Sequence, residues 1–109
     1  MKTYNKLVRD HIPEIISKDG KNAVSHVLSE ENYVIELDKK LMEEVNEYLI
    51  AKNLEEMADI LEVLYAICIA QGYTIEDLDN KRKEKAEKNG GFQEKIFLEY
   101  VDEHIIKSD

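Results

Sequence analysis

Two pairs of carboxylates stand close together in this chain, Glu44-x-x-Glu47 and Glu56-x-x-Asp59. Residues three apart on a helix are neighbours on one face, with Cβ atoms roughly 5–6 Å apart. Each pair can therefore aim at one point. Four carboxylates aimed at one point repel each other unless a cation lies among them. Oxygen ligands alone suit a hard ion such as Mg²⁺, Mn²⁺ or Ca²⁺. Such an ion lowers the pKa of a bound water and clamps phosphate oxygens, so the pattern points to phosphate chemistry. In-line attack on phosphorus needs positioning and charge stabilisation. Glu44 or Glu47, where not saturated by metal, can take the proton of the attacking water. Lys6, Arg9, Arg82 and Lys85 are the cations available to meet the phosphates, although each also fits a solvated face.

The neighbours of these acids are apolar. Glu44 falls between Leu41 and Val45/Tyr48, with Glu47 one turn along. Asp59 lies between Ala58 and Ile60, with Glu56 one turn earlier on the same side. An unpaired buried carboxylate costs several kcal/mol or stays protonated. No Lys or Arg occurs from Leu54 to Thr74, so Asp59 has no basic partner nearby in sequence. A metal is the economical partner, and Glu62 is a further acid within reach. Glu56 has a second reading as a helix-capping residue, and Glu30, Glu31, Glu43 and Glu55 read as solvated surface acids.

Rival chemistries lack their residues. A di-iron site in a helical bundle wants Glu-x-x-His on two helices, and the chain has none. Zinc wants clustered His and Cys, whereas His11, His26, His104 and Cys68 are scattered. There is no EF-hand loop and no glycine-rich phosphate loop.

Four helices are expected to position the acids. Asp10 is a plausible cap for a short helix with Pro13 in its first turn, ending at Gly20. Ser29 caps a second helix with the stripe Val34, Leu37, Leu41, Val45 and Tyr48. Asn53, with Glu56 three residues on, resembles a capping box for a third helix that ends at Gly72. From Ala58 to Ala70 this helix is apolar on nearly every face, which predicts burial on all sides. Thr74 and Asp77 open a fourth helix, which ends before Gly90-Gly91. Asn22 to Leu28 alternates like one short strand or extended segment, which would need a partner such as Ile96–Tyr100 or a second subunit.

Composition limits the partners. The chain has 109 residues, the size of one domain, and a net charge of −9. That balance opposes binding along a nucleic-acid polymer, which needs clustered Lys and Arg. It permits a nucleotide whose phosphates are partly neutralised by metal. Cys68 reads as a small core residue. The apolar run Val63 to Ala70 is too short for a membrane span, and Met1 to Lys6 lack the apolar region of a signal peptide. A soluble, cytoplasmic protein is expected, with no membrane partner.

The segment Leu41-Met42-Glu43-Glu44-Val45-Asn46-Glu47, with Glu55-Glu56-Met57-Ala58-Asp59-Ile60-Leu61, resembles the MazG-like superfamily of all-α nucleoside triphosphate pyrophosphatases. Its pattern is E-x-x-E on one helix and E-x-x-D on the next. The flanks Tyr4 to Ile16 and Lys85 to Phe92 resemble a compact branch of house-cleaning NTP pyrophosphatases, related to phosphoribosyl-ATP pyrophosphohydrolases. The resemblance implies Mg²⁺-dependent cleavage between the α and β phosphates, giving NMP and pyrophosphate. It implies Glu44, Glu47, Glu56 and Asp59 as metal ligands. The gap between Glu47 and Glu56 is shorter than in many members, so the turn between the helices must be tight.

The expected fold is an all-α bundle of about four helices with a minor strand or extended segment, spanning residues 1–109 as one domain. A homodimer or larger homo-oligomer is expected, because three other helices are too few to cover the third. The subunit boundary would lie near the site, with Phe92 to Val101 helping to close it. A different class of reading is a non-catalytic, metal-stabilised helical dimer serving as an interaction module.

Overall fold

The computed structural model describes residues 1–104. Its elements are α1 (Ile12–Lys18), α2 (Glu30–Ala51), α3 (Leu54–Ala70) and α4 (Ile75–Asn89). The all-α class is as expected. No strand forms among the described residues. Residues 22–28 join α1 to α2 without backbone pairing, and Val24 and Val27 stand in solvent. Alternation makes a strand only where a second segment supplies the ladder. Ile96–Tyr100, the proposed partner within the chain, lies exposed and unpaired.

Three helix starts follow their caps. Ser29 Oγ accepts the Asn32 N–H at 3.2 Å, and Asn53 Oδ1 accepts the Glu56 N–H at 2.9 Å. Thr74 and Asp77 form a reciprocal capping box at 3.0 and 2.9 Å. Two expectations fail here. The first helix is capped by His11, without a side-chain hydrogen bond, and not by Asp10. Asn53 caps α3 alone, because the Glu56 carboxylate turns inward instead of back to the cap.

The α2–α3 hairpin is the packed centre of the molecule. Its turn is tight, as the short gap demands. Lys52 adopts the left-handed conformation (φ 54°, ψ 40°) and donates its N–H to the Tyr48 carbonyl at 2.7 Å. Asn53 then starts α3 at once. Leu37 on α2 and Val63 and Cys68 on α3 form the buried core. The Cys68 thiol donates to the Thr74 carbonyl at 3.2 Å, tying the end of α3 to the start of α4.

Helix α3 is not covered on all sides. Met57, Leu61 and Ile69 remain about half exposed. The hairpin supplies one neighbour for α3, and α4 leaves it at an angle of 111°. Among the described residues no single helix is long and apolar enough to cross a membrane.

Candidate metal centre

Glu44 projects from the side of α2 that meets α3, in register with the core stripe that holds Leu37. It is buried, with 6% of its surface exposed. Glu56 and Asp59 project from the first two turns of α3. The hairpin brings the three together: one carboxylate oxygen from each lies within 4.8 Å of the other two. At that separation two full charges repel by about 3 kcal/mol at an effective dielectric of about 20.

Cations answer part of this charge. Arg9 Nη2 donates to Asp59 Oδ1 at 2.7 Å. Lys6 Nζ donates to Glu43 Oε1 at 2.7 Å. Residues 6–9 therefore lie across the hairpin, holding α2 with one cation and α3 with the other. Lys40 stands 3.3 Å from both Glu43 and Glu44. Glu44 Oε2 and Glu56 Oε2 are buried and accept no hydrogen bond from the described protein.

The charges show in the proton affinities. Burial raises the Glu44 pKa; Lys40 opposes the rise, and repulsion from Glu47 and Asp59 adds to it. Glu43 is also pushed up by burial, but its hydrogen bonds to Lys6 and Lys40 outweigh that, and its pKa is lowered. The hydrogen bond to Glu43 raises the Lys6 pKa, with Glu47 and Glu44 adding to it through their charge.

Of the residues singled out in the sequence, Glu44, Glu56 and Asp59 converge. Glu47 stays one turn along on the exposed side of α2, near enough for its charge to act on Glu44 and Lys6. Glu62 lies apart, lining a surface hollow with Glu30, Tyr33 and Tyr65. Lys6 and Arg9 reach the acids directly. Arg82 pairs within its own helix with Asp79 at 3.1 Å, and Lys85 is exposed on the same helix. Neither forms an ion pair with the acidic cluster among the described residues.

Besides the absence of Glu47 and Glu62 from the cluster, three features of the site differ from the sequence reading. Asp59 does have a basic partner, Arg9, brought from 50 residues away. Glu43 is not a free surface acid but is gripped by two lysines. Lys40 joins the site as well, and its i,i+4 spacing to Glu44, at which helical ion pairs form, is the sequence signal for it.

No family model matches the chain, and no solved structure matches it. An uncharacterized protein of Mycolicibacterium smegmatis (strain ATCC 700084 / mc(2)155) is 50% identical over 42 residues. That match spans 38% of this chain and 43% of the relative's length.

Proposed function

We propose that this chain is a Mg²⁺-dependent nucleoside triphosphate pyrophosphohydrolase of the MazG-like kind, acting on non-standard nucleotides in the cytoplasm. The observation that carries the reading is the orphaned pair of buried oxygens, Glu44 Oε2 and Glu56 Oε2, beside Asp59. Buried polar atoms are nearly always satisfied. These two are acceptors only, so what they lack is a cation or a donor.

The donor set fits a hard divalent ion. Opposed oxygens on one Mg²⁺ lie about 4 Å apart, and on Ca²⁺ about 5 Å. A spread of up to 4.8 Å is within a small side-chain adjustment of either. Glu44, Glu56 and Asp59 would hold the ion, with Glu47 completing the set by a rotamer change. Mg²⁺, or Mn²⁺ in its place, supplies charge neutralisation and an acidified water.

The chain's own groups divide the remaining work. Glu44, buried beside Asp59, would take the proton of the attacking water where metal does not saturate it. Arg9 and Lys6 now rest on carboxylates. Asp59 is in the proposed ligand set and Glu43 is not, so an ion would release Arg9 to orient the triphosphate, while Lys6 stays on Glu43 at the edge of the site. Arg82 and Lys85 would reach the nucleotide only through a rearrangement of α4 or from another subunit.

The test is pyrophosphate release from a panel of nucleoside triphosphates, with and without Mg²⁺. Mg²⁺-dependent release of NMP and pyrophosphate from at least one nucleotide is expected. Release of orthophosphate, or no release from any, overturns the reading. The second reading, a non-catalytic helical interaction module, is favoured by the amount of apolar surface left open on α3 and beyond α4.

A further inference from the structure

Lys6 and Arg9 each hold an acid of the hairpin at 2.7 Å, but the two acids are not in the same position. Both oxygens of Glu43 are taken by lysines, Oε1 by Lys6 and Oε2 by Lys40 at 3.3 Å. Glu43 is not one of the three converging acids, so an ion at the centre has no claim on it. Asp59 is one of them, and Arg9 holds one of its oxygens. An ion there loosens the Arg9 contact and leaves the Lys6 contact alone.

Little else keeps residues 1–28 in place. Helix α1 has no buried residue and packs on no other helix among the described residues. In the same range, Lys6–Glu43 and Arg9–Asp59 are the polar contacts that tie residues 1–28 to the rest of the chain. Leu7 and Val8, between the two cations, are half-buried. Lys6 is also held from a second side. Asn5 takes the left-handed backbone (φ 45°), which Asn tolerates better than most residues. The Tyr4 ring lies 5.9 Å from Lys6 Nζ, within cation–π range. The ammonium therefore has a carboxylate and an aromatic face around it.

Arg9 follows Lys6 by three residues, a backbone span of at most about 11 Å. An Arg9 freed from Asp59 but tethered at Lys6 stays beside the centre. A short tether keeps its effective concentration on the order of millimolar, and its planar fork suits a phosphate. We propose that Lys6 and Glu43 are positioning residues: their ion pair keeps residues 6–9 on the hairpin when an ion takes Asp59, and so delivers Arg9 to the triphosphate. The proposal rests on the nucleotide reading for its substrate. Lys6 itself stays off the phosphates.

Manganese alone reads the anchor without any turnover, because bound Mn²⁺ broadens the amide NMR signals of residues near it. In the full chain, the signals of residues 6–8 should broaden together with those around Asp59. In Lys6→Gln and in Glu43→Gln they should stay sharp while those around Asp59 still broaden. Equal broadening in the variants, or sharp signals from residues 6–8 in the wild type, overturns the anchor.

Kinetics separate an anchor from a direct contact. Lys6→Gln should raise the KM of the best nucleotide by about two- to fivefold, as loss of one partly exposed ion pair allows, with little change in kcat. In an Arg9→Gln background the same substitution should add nothing, because residues that act as one unit are not additive. Additive effects would put Lys6 on the phosphates and overturn the proposal. Pyrophosphate release with an unchanged KM in Lys6→Gln overturns the anchor and keeps the enzymatic reading. The expected broadening, with no release from any nucleotide, upholds the hold of Lys6 on Glu43 and overturns that reading.

Discussion

Arg9 and Asp59 meet at 2.7 Å across 50 residues of sequence. The guanidinium holds one of the two Asp59 oxygens and places a positive charge beside the three converging carboxylates. Arg9 and the ion therefore compete for Asp59. The Arg9 side chain is more than half exposed, and ion pairs of that kind contribute about 0–1 kcal/mol. Arg9→Gln should tighten Mn²⁺ binding by up to about fivefold, a change of about 1 kcal/mol, and should raise the KM for nucleotide. Calorimetric titration with Mn²⁺ checks the first effect. Equal affinities in the two proteins would mean that Arg9 and the ion do not share an oxygen.

Asp59→Asn should abolish pyrophosphate release while the fold survives. The exposed Arg9 regains water, and the loss of one acid relieves repulsion on Glu44. Turnover should fall by about a hundredfold or more, as when a group that stabilises transition-state charge is removed. The rise in Tm with Mg²⁺ should also vanish; in the wild type it reflects about 2.7 kcal/mol at a hundredfold excess over Kd. Wild-type turnover in the variant would remove Asp59 from the site.

The raised pKa of Glu44 carries a sign. Folding makes this carboxyl hold its proton more tightly, because its charged form is buried and beside other acids. Its contribution is therefore favourable below the ordinary glutamate pKa and is lost as pH rises through the folded value. Glu44→Gln should melt above the wild type at pH 7 in metal-free buffer. The difference should close below about pH 4, where the carboxyl is protonated in both states. A wild type that melts higher at pH 7 would show that Lys40 outweighs burial.

The start of α3 rests on a single side-chain bond, from Asn53 to the Glu56 N–H. Asn53→Ala should cost about 1 kcal/mol, the usual value of a cap, and lower Tm by about 4–8 °C. Because this cap sets the first turn of α3, the variant should also bind Mn²⁺ more weakly. Thermal melts with and without the ion measure both effects.

Local features were readable in advance and distant ones were not. Ser29, Asn53 and Thr74 cap their own helices, and their signals lie within three residues. Helical spacing plus a short turn accounts for Glu44 meeting Glu56 and Asp59, but Glu47, expected at the same point, stays one turn along on the exposed side of α2. Arg9 was out of view as a partner for Asp59, because nothing in sequence marks contact between residues so far apart. Asp10 failed as a cap because His11 is the residue at the helix boundary, one position on. The alternation of residues 22–28 described a side-chain pattern but could not supply the second strand. The apolar composition of α3 was legible, yet composition alone does not say whether the covering surface comes from the same chain.

The two-residue turn at Lys52 and Asn53 bears on the order of folding. The ends of α2 and α3 are almost contiguous, so little loop entropy is lost when the hairpin closes, and local contacts of this kind form early. Closure draws Glu44, Glu56 and Asp59 together through contacts local in sequence, whereas Arg9 reaches Asp59 across 50 residues. Hairpin closure thus works against the repulsion of its own acids, and divalent ions in the refolding buffer should speed it.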